Sequence, residues 1–490
     1  MTGACSTPPR GPFTLDLRSL ACFRMGLGAV IVADALLRSR DIGLMLAPDG
    51  MFPLTDLRGF FGDRWAWSLA FLVDATWWGT AVLALEGLAG AALAAGLGTR
   101  VATVVAWAAV VSIVRRTAPA TNAGDDWLCC LLFWGMFLPL GAAWSIDARR
   151  RGGPPSRTTR SVATAALVLQ IAAVYLGAGL SKWNASWLSG TAVATALSLH
   201  DHGTAWGEVL AGQGGLCRLL SWGIVGLETL GPCLLVATGR STVRLALGTL
   251  CMAFHAATAA LMSVGLFAYV GLAAWLAVLP SELWDGPSRA PDAGRTAPAQ
   301  ERQRTTRSGG ELVAAAALAL ASLSFLHDNT AWRRRPLPAP IGAAVRVACL
   351  GQDWGMFGEV PRQRQWVVGR GRLADGRTVD VLRGGRPLEE LLPAGGSTSL
   401  PHHRWHKLFW DLGRAERRRF APAVAAALAR DWNRRHAPAD RLTTLEIRAA
   451  RLGDDPAPGT LHELLLASWP ARDAAGGGSL DRWLDGRPGP

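Results

Sequence analysis

Apolar residues along this chain gather into long windows rather than short amphipathic patches, and the windows stop near position 327. Each is about 17–25 residues long, enough for a helix to cross roughly 30 Å of hydrocarbon. Nine candidate spans follow: 19–37, 66–85, 86–114 as one long or broken segment, 127–145, 161–181, 217–238, 241–262, 265–280 and 311–327. Asp74 and Glu86 interrupt the second and third, so the count carries a margin of one. The stretch 285–310 is rich in Pro, Gly and Arg and has no period, which predicts a flexible cytoplasmic loop. Beyond Arg335 the pattern changes. WVVGRGRLADGRTVDVL alternates around Ala374-Asp375-Gly376 and predicts a hairpin. GRAERRRFAPAVAAALARDWNRRH predicts an amphipathic helix, LTTLEIRAARL another strand, and DAAGGGSLDRWLDGRPGP a loose end. The expected fold is an α-helical polytopic membrane protein of about eight or nine transmembrane helices over 1–330, followed by a small C-terminal α+β soluble domain over 331–490.

A net charge of +13 in a soluble protein points towards nucleic acid, but here the arginines cluster in the loops between apolar windows. Arg149, Arg150, Arg151, Arg157, Arg160, Arg240, Arg244 and the group from Arg289 to Arg307 fall in alternate loops, which predicts a cytoplasmic N-terminus. Nine spans then place the C-terminal domain extracytoplasmically, in a multi-pass cell-membrane protein whose partner is the lipid bilayer and not nucleic acid. Eight cysteines occur without CxxC spacing, and Cys129, Cys130, Cys233 and Cys251 lie in apolar windows, so neither a disulfide framework nor a metal site is implied. MTGACSTPPRGPF lacks the layout of a cleaved signal peptide.

Among 50 basic residues only two, Lys182 and Lys407, are lysines. A lysine can lose its proton where an arginine cannot, and burial favours the neutral amine. Lys182 ends the span AALVLQIAAVYLGAGLSKW beside Trp183 and Trp187. Its plain alternative is a lysine snorkelling at a membrane boundary. Lys407 stands with His402, His403 and His406 in HHRWHKLFW, which reads as a basic surface patch rather than a metal site. His255 lies mid-span, where an ionisable group is expensive and lines a pocket or serves as a structural hydrogen-bonder. Arg24, Asp34 and Glu228, also within spans, read as interhelical ion-pairing groups, Arg24 and Asp34 each with a partner on another helix. Asp125 and Asp126 begin a span and read either as solvated loop acids or as pocket groups; His200 and His202 form a weak HxH in a loop.

VYLGAGLSKWNASWLSGTAVATALSLH resembles the region of vitamin K-dependent γ-carboxylases in which AG, two residues, a lysine and a downstream tryptophan carry the catalytic base. LACFRMGLGAVIVADALLRSRDIG, AFHAATAALMSVGLFAYVGLA and QDWGMFGEVPRQRQWVVGRGRLADGRTVD resemble the HTTM-type family in the same order. The resemblance implies Lys182 as base towards reduced vitamin K or a related menaquinol. With O2 a strongly basic alkoxide then forms, takes a proton from a substrate and allows CO2 to add. By the same resemblance Asp125 and His255 are further catalytic candidates, and Trp183 and Trp187 cofactor-binding ones. The family places a helper histidine after the third span, whereas TNAGDDWLCCLL has Asp125 there. The implied function is a membrane carboxylase-like lyase acting on a secreted peptide or a small molecule. The alternative is a non-catalytic maturation partner or chaperone for an exported peptide.

Overall fold

The computed structural model describes residues 11–63, 65–152, 157–198, 202–285, 309–360, 364–388, 399–412, 414, 416–453 and 460–470. The expected loop at 285–310, apart from its first residue and its last two, the loose C-terminal stretch and His200 lie outside them. The first helices are α1 (Leu17–Arg38), α2 (Thr76–Ala95), α3 (Thr99–Arg116), α4 (Ala123–Gly135) and α5 (Val162–Ser181). They are followed by α6 (Gly214–Ala237), α7 (Ser241–Leu261), α8 (Leu266–Leu276) and α9 (Gly309–Asp328). Among the described residues six helical segments are long and apolar enough to cross a membrane: Leu17–Met45, α2, α5, α6, α7 and α9. The chain is a multi-pass membrane protein.

The remaining apolar windows differ from the expected spans for identifiable reasons. Residues 66–114 do not break at Glu86, which sits inside α2 and is fully buried. The break falls at Gly96 and Gly98, whose φ values of 70° and 54° suit glycine and end one helix before the next begins. α4 has only 13 residues and α8 only 11, and both are enclosed by neighbouring helices. Trp127, Leu131 and Trp134 of α4 have no exposed surface. Helices so enclosed need not match the bilayer thickness.

Close packing uses small residues. A Cβ on Gly28 of α1 would stand 2.6 Å from the backbone of Gly90 and Ala94 on α2, and one on Gly90 would stand 2.7 Å from Ile31. Helices in lipid associate by such close approach, since burying apolar surface gains little there.

After α9 the chain does not leave the bundle. A short helix, Ala339–Ala348, leads into the stretch 349–358, which runs back over α4 and α5 with Leu350 and Trp354 buried in the main core. The tail then forms the expected hairpin, β1 (Arg364–Leu373) with β2 (Thr378–Asp380), and adds β3 (Arg386–Pro387), β4 (Leu442–Gly453) and β5 (Thr460–Trp469) in the order β3-β2-β1-β4-β5. Antiparallel pairing sets Gly371 against Val379 and Val368 against Arg448. Two helices complete it, α10 (His403–Leu412) and α11 (Ala421–Arg435), the latter packed on β4 and β5.

The tail core is shared with the bundle. Leu44, Met45, Phe52, Leu57 and Ala120 join Leu408, Phe409, Phe420, Val424 and Leu445 in one apolar cluster. The expectation of a surface patch at HHRWHKLFW is therefore corrected. Trp405, Leu408, Phe409 and Leu412 face the apolar cluster, and Arg404 is fully buried. Its charge is tolerated because acidic groups of the bundle surround it.

Candidate functional site

α5 is apolar along its length and ends at Lys182, whose backbone N–H closes the last turn on the Gly179 carbonyl at 3.0 Å. Asn184 starts the next short helix, Ala185–Leu188, by accepting from the backbone of Ser186 and Trp187. This tight exit leaves the Lys182 side chain inside the bundle, with only 3% of its surface exposed.

Three oxygens face Lys182 Nζ: Glu228 Oε2 at 2.8 Å, the Met356 carbonyl at 2.8 Å and the Ala178 carbonyl at 3.2 Å. The two carbonyls accept hydrogen bonds from the amine, and the carboxylate forms a close ion pair with it. The Trp187 ring lies 5.2 Å away, measured centroid to Nζ. Glu228 belongs to α6, brought close by Gly179, where a Cβ would sit 2.7 Å from the Glu228 backbone. The sequence reading of Glu228 as an ion-pairing acid thus acquires its partner, Lys182.

The Met356 carbonyl comes from the returning stretch 349–358, which is fastened at several points. Gln352 and Gln170 exchange two amide hydrogen bonds, at 2.8 and 3.0 Å, and Trp354 Nε1 donates to Gln352 Oε1 at 2.7 Å. Asn184 donates to the Gly358 carbonyl at 2.6 Å, and Trp187 Nε1 to the Phe357 carbonyl at 2.9 Å. Sequence reasoning assigned this stretch to the tail; no periodicity marks a segment that folds back.

The pair opens on a cavity of about 460 Å³ between α5, α6 and α7. Its walls are apolar, among them Val174, Ile224, Leu227 and Phe254, and its roof is Met356 and Phe357. Leu219 and Leu250, which also line it, are 63% and 53% exposed on the outside of the bundle, so the cavity reaches the lipid-facing surface between α6 and α7.

His255 of α7 lines the same cavity and has no exposed surface. Its Nε2 is 2.5 Å from the Tyr175 hydroxyl, which accepts a hydrogen bond from Trp275 Nε1 at 2.6 Å. Tyr175 was not singled out in the sequence, where one tyrosine in an apolar window carries no signal. Of the residues that were, Lys182, Glu228, His255 and Trp187 meet at the cavity. Trp183 does not line it: 60% exposed, it donates to Thr229 Oγ1 at 3.2 Å along the outside of α6.

Asp125 does not line the cavity either. It is buried at the start of α4, where it caps the Asn122 N–H at 2.8 Å and belongs to an ionic cluster. Arg404 Nη2 reaches Asp34 at 2.6 Å and Asp125 at 2.8 Å, while Arg38 reaches Asp34 at 2.8 Å and Asp125 at 3.0 Å. Two acids and two arginines balance. The expected partner of Asp34 on another helix is Arg404 of α10, and Arg38 of its own helix adds a second. Arg24 donates to the Trp144 carbonyl at 2.7 Å rather than to an acid.

Beside this cluster, α10 carries His403 against Gly265 and His406 against His202, ring centroids 4.8 Å apart. Burial, with Lys407 nearby, pushes His202 down to about 4. Burial and the adjacent Arg404 push His403 down to about 3, and burial with His202 alongside lowers His406 well below the usual histidine range.

Residues 67–284 match the family model of the HTTM domain. That stretch contains Lys182, Glu228, Tyr175, His255 and Asp125, but not α1, the returning stretch 349–358 or the tail. No curated protein and no solved structure matches the chain significantly.

Proposed function

We propose, on the premise of an HTTM domain over residues 67–284, that this protein is a membrane enzyme of the vitamin K-dependent γ-carboxylase kind acting through a quinol-type cofactor. The observation that carries the reading is the buried Lys182–Glu228 pair at one end of an apolar, lipid-reaching cavity. The donor set suits reduced vitamin K or a related menaquinol: apolar walls for the ring, and a cation beside a carboxylate for a hydroxyl. When bound with O2, such a quinol supplies the strong base that takes a proton from a substrate and lets CO2 add.

The work of the protein is then proton handling and exclusion of water. Two carbonyls hold Lys182 and Glu228 is ion-paired to it, so the pair rather than the amine alone is the base. Glu228 accepts the proton at its carboxylate, and the Lys182 ammonium stays to hold the oxyanion that results. A charge inside a dry pocket is worth far more than in water, because nothing else screens it. Trp187 and the Met356 and Phe357 roof keep water from the pair, and the leucine-lined side admits an apolar molecule from the bilayer.

The substrate we assign is a peptide or small molecule met at the tail side, with the N-terminus cytoplasmic and the tail extracytoplasmic. Support for the orientation is that α1 begins beside Arg157 and ends beside Arg404, so the Arg149–Arg160 group lies at the end of the bundle away from the tail. The test is consumption of reduced menaquinol and O2 by purified protein in nanodiscs. Wild type turning over while Lys182→Ala does not is the expected result. Equal slow consumption by both sinks the reading.

A further inference from the structure

Lys182 and Glu228 supply one polar station in the cavity; His255 is a second that the proposed proton transfer leaves unused. An indole nitrogen only donates, so the Tyr175 hydroxyl accepts from Trp275 and has its own proton to give. The strongest acceptor beside it is His255 Nε2 at 2.5 Å. A neutral imidazole that accepts at Nε2 carries its proton on Nδ1.

His255 Nδ1 is buried and has no hydrogen-bond partner among the described residues. A buried donor left unpaired is destabilising, because it has given up its hydrogen bonds to water without replacement. The fold nonetheless holds the ring there, since a Cβ on Gly271 would come within 2.2 Å of it and only glycine leaves the room. Trp127, Phe254 and Phe267 pack around it with ring centroids 6.0, 5.2 and 5.5 Å away. The molecule thus keeps a buried, unpaired donor on a ring that lines the cavity.

We infer that the His255 Nδ1–H donates to an oxygen of the ligand, with Tyr175 and Trp275 as positioning residues that fix its tautomer. Resting on the proposed function, this narrows the ligand class. The cavity takes an apolar ring bearing two oxygens, one for the Lys182–Glu228 pair and one for His255. A lipid alcohol with a single hydroxyl leaves His255 unpaired, whereas a ring bearing two oxygens, such as a 1,4-dioxygenated naphthalene, has one to offer each station.

The experiment compares 2,3-dimethyl-1,4-naphthoquinone, blocked against thiol addition, with 2,3-dimethylnaphthalene, which has the same ring and no oxygens. Binding to purified protein is read by tryptophan quenching, and the carbonyl stretches of the bound quinone by infrared difference. Wild type should prefer the quinone, and His255→Phe should lose about ten-fold of its affinity, the scale of one buried hydrogen bond. The hydrocarbon should bind both alike, which also reports that the variant is folded. One carbonyl band should return towards its free frequency in His255→Phe, and stay shifted in His255→Asn, which keeps a donor. Unchanged quinone affinity and unchanged bands in a folded His255→Phe overturn the inference, while loss of turnover in Lys182→Ala leaves the proposed function standing. Failure of wild type to prefer the quinone over the hydrocarbon overturns both.

Discussion

Arg404 donates to Asp34 at 2.6 Å across 370 positions of sequence, tying the last third of the chain to its first membrane helix. Both side chains are buried, and Asp125 and Arg38 complete a balanced set. Removing one member of such a set leaves a charge stranded, which costs more than the intact pair gains.

Arg404→Met should therefore destabilise the protein by about 3–5 kcal/mol. The thermal midpoint in detergent should fall well below that of wild type, and Arg404→Lys, a cation without the planar fork, should lie between. A double-mutant cycle pairing Arg404→Met with Asp34→Leu should recover part of the loss. Additive losses contradict direct pairing.

The buried Lys182–Glu228 pair carries the parallel prediction. Lys182→Met and Glu228→Leu should each lower stability, because each strands a buried charge, and the double variant should be more stable than either. All three should be inactive towards quinol. This separates fold from chemistry: recovered stability without recovered turnover is the expected signature.

Gly179→Ala should push α6 from α5, since a Cβ there stands 2.7 Å from the Glu228 backbone. Overpacking of this kind costs about 1–3 kcal/mol, and it displaces Glu228 from Lys182, so turnover should fall as well. Gly226→Ala, on the same α6 but with nothing within 4 Å, is the control and should leave both unchanged.

Acid should loosen the contact between tail and bundle through the histidines that meet there. His202, His403 and His406 titrate below their unfolded value, so the unfolded chain binds more protons. Stability is full above the unfolded pKa of about 6.5 and declines as pH falls towards the folded values, by up to about 1.4 kcal/mol per pH unit for each proton taken up. Lys407, Arg404 and His402 face these rings and oppose their charging; Asp411, Asp125 and Asp34 favour it. Midpoints measured from pH 7 to 5 should fall, with a smaller slope in His406→Phe. An equal slope would assign the acid sensitivity elsewhere.

How much of this was legible depends on the range of each interaction. The hairpin turn at Ala374-Asp375-Gly376, α11 and β4 are local patterns and appear where the residues put them, whereas of the nine apolar windows six segments among the described residues are long enough to span and the boundary between the second and third moved to Gly96 and Gly98. Lys182 was marked by rarity and motif. Its partner was not: Glu228 looked like any acid in a span, because nothing in the sequence shows that α6 crosses α5 at Gly179. HHRWHKLFW looked exposed because charge usually is, and only the distant Asp34 and Asp125 make it a buried helix. Asp125 fell where a helper to the lysine was sought, yet its neighbours are the tail and α1.

The carbonyl of Met356 that closes the shell around Lys182 lies 174 residues downstream of it. A ribosome therefore delivers the lysine, its carboxylate and the helices that carry them long before the roof of their chamber exists. Insertion into the bilayer comes first and enclosure last, so the order of translation itself keeps the surroundings of the Lys182–Glu228 pair incomplete until the bundle is built.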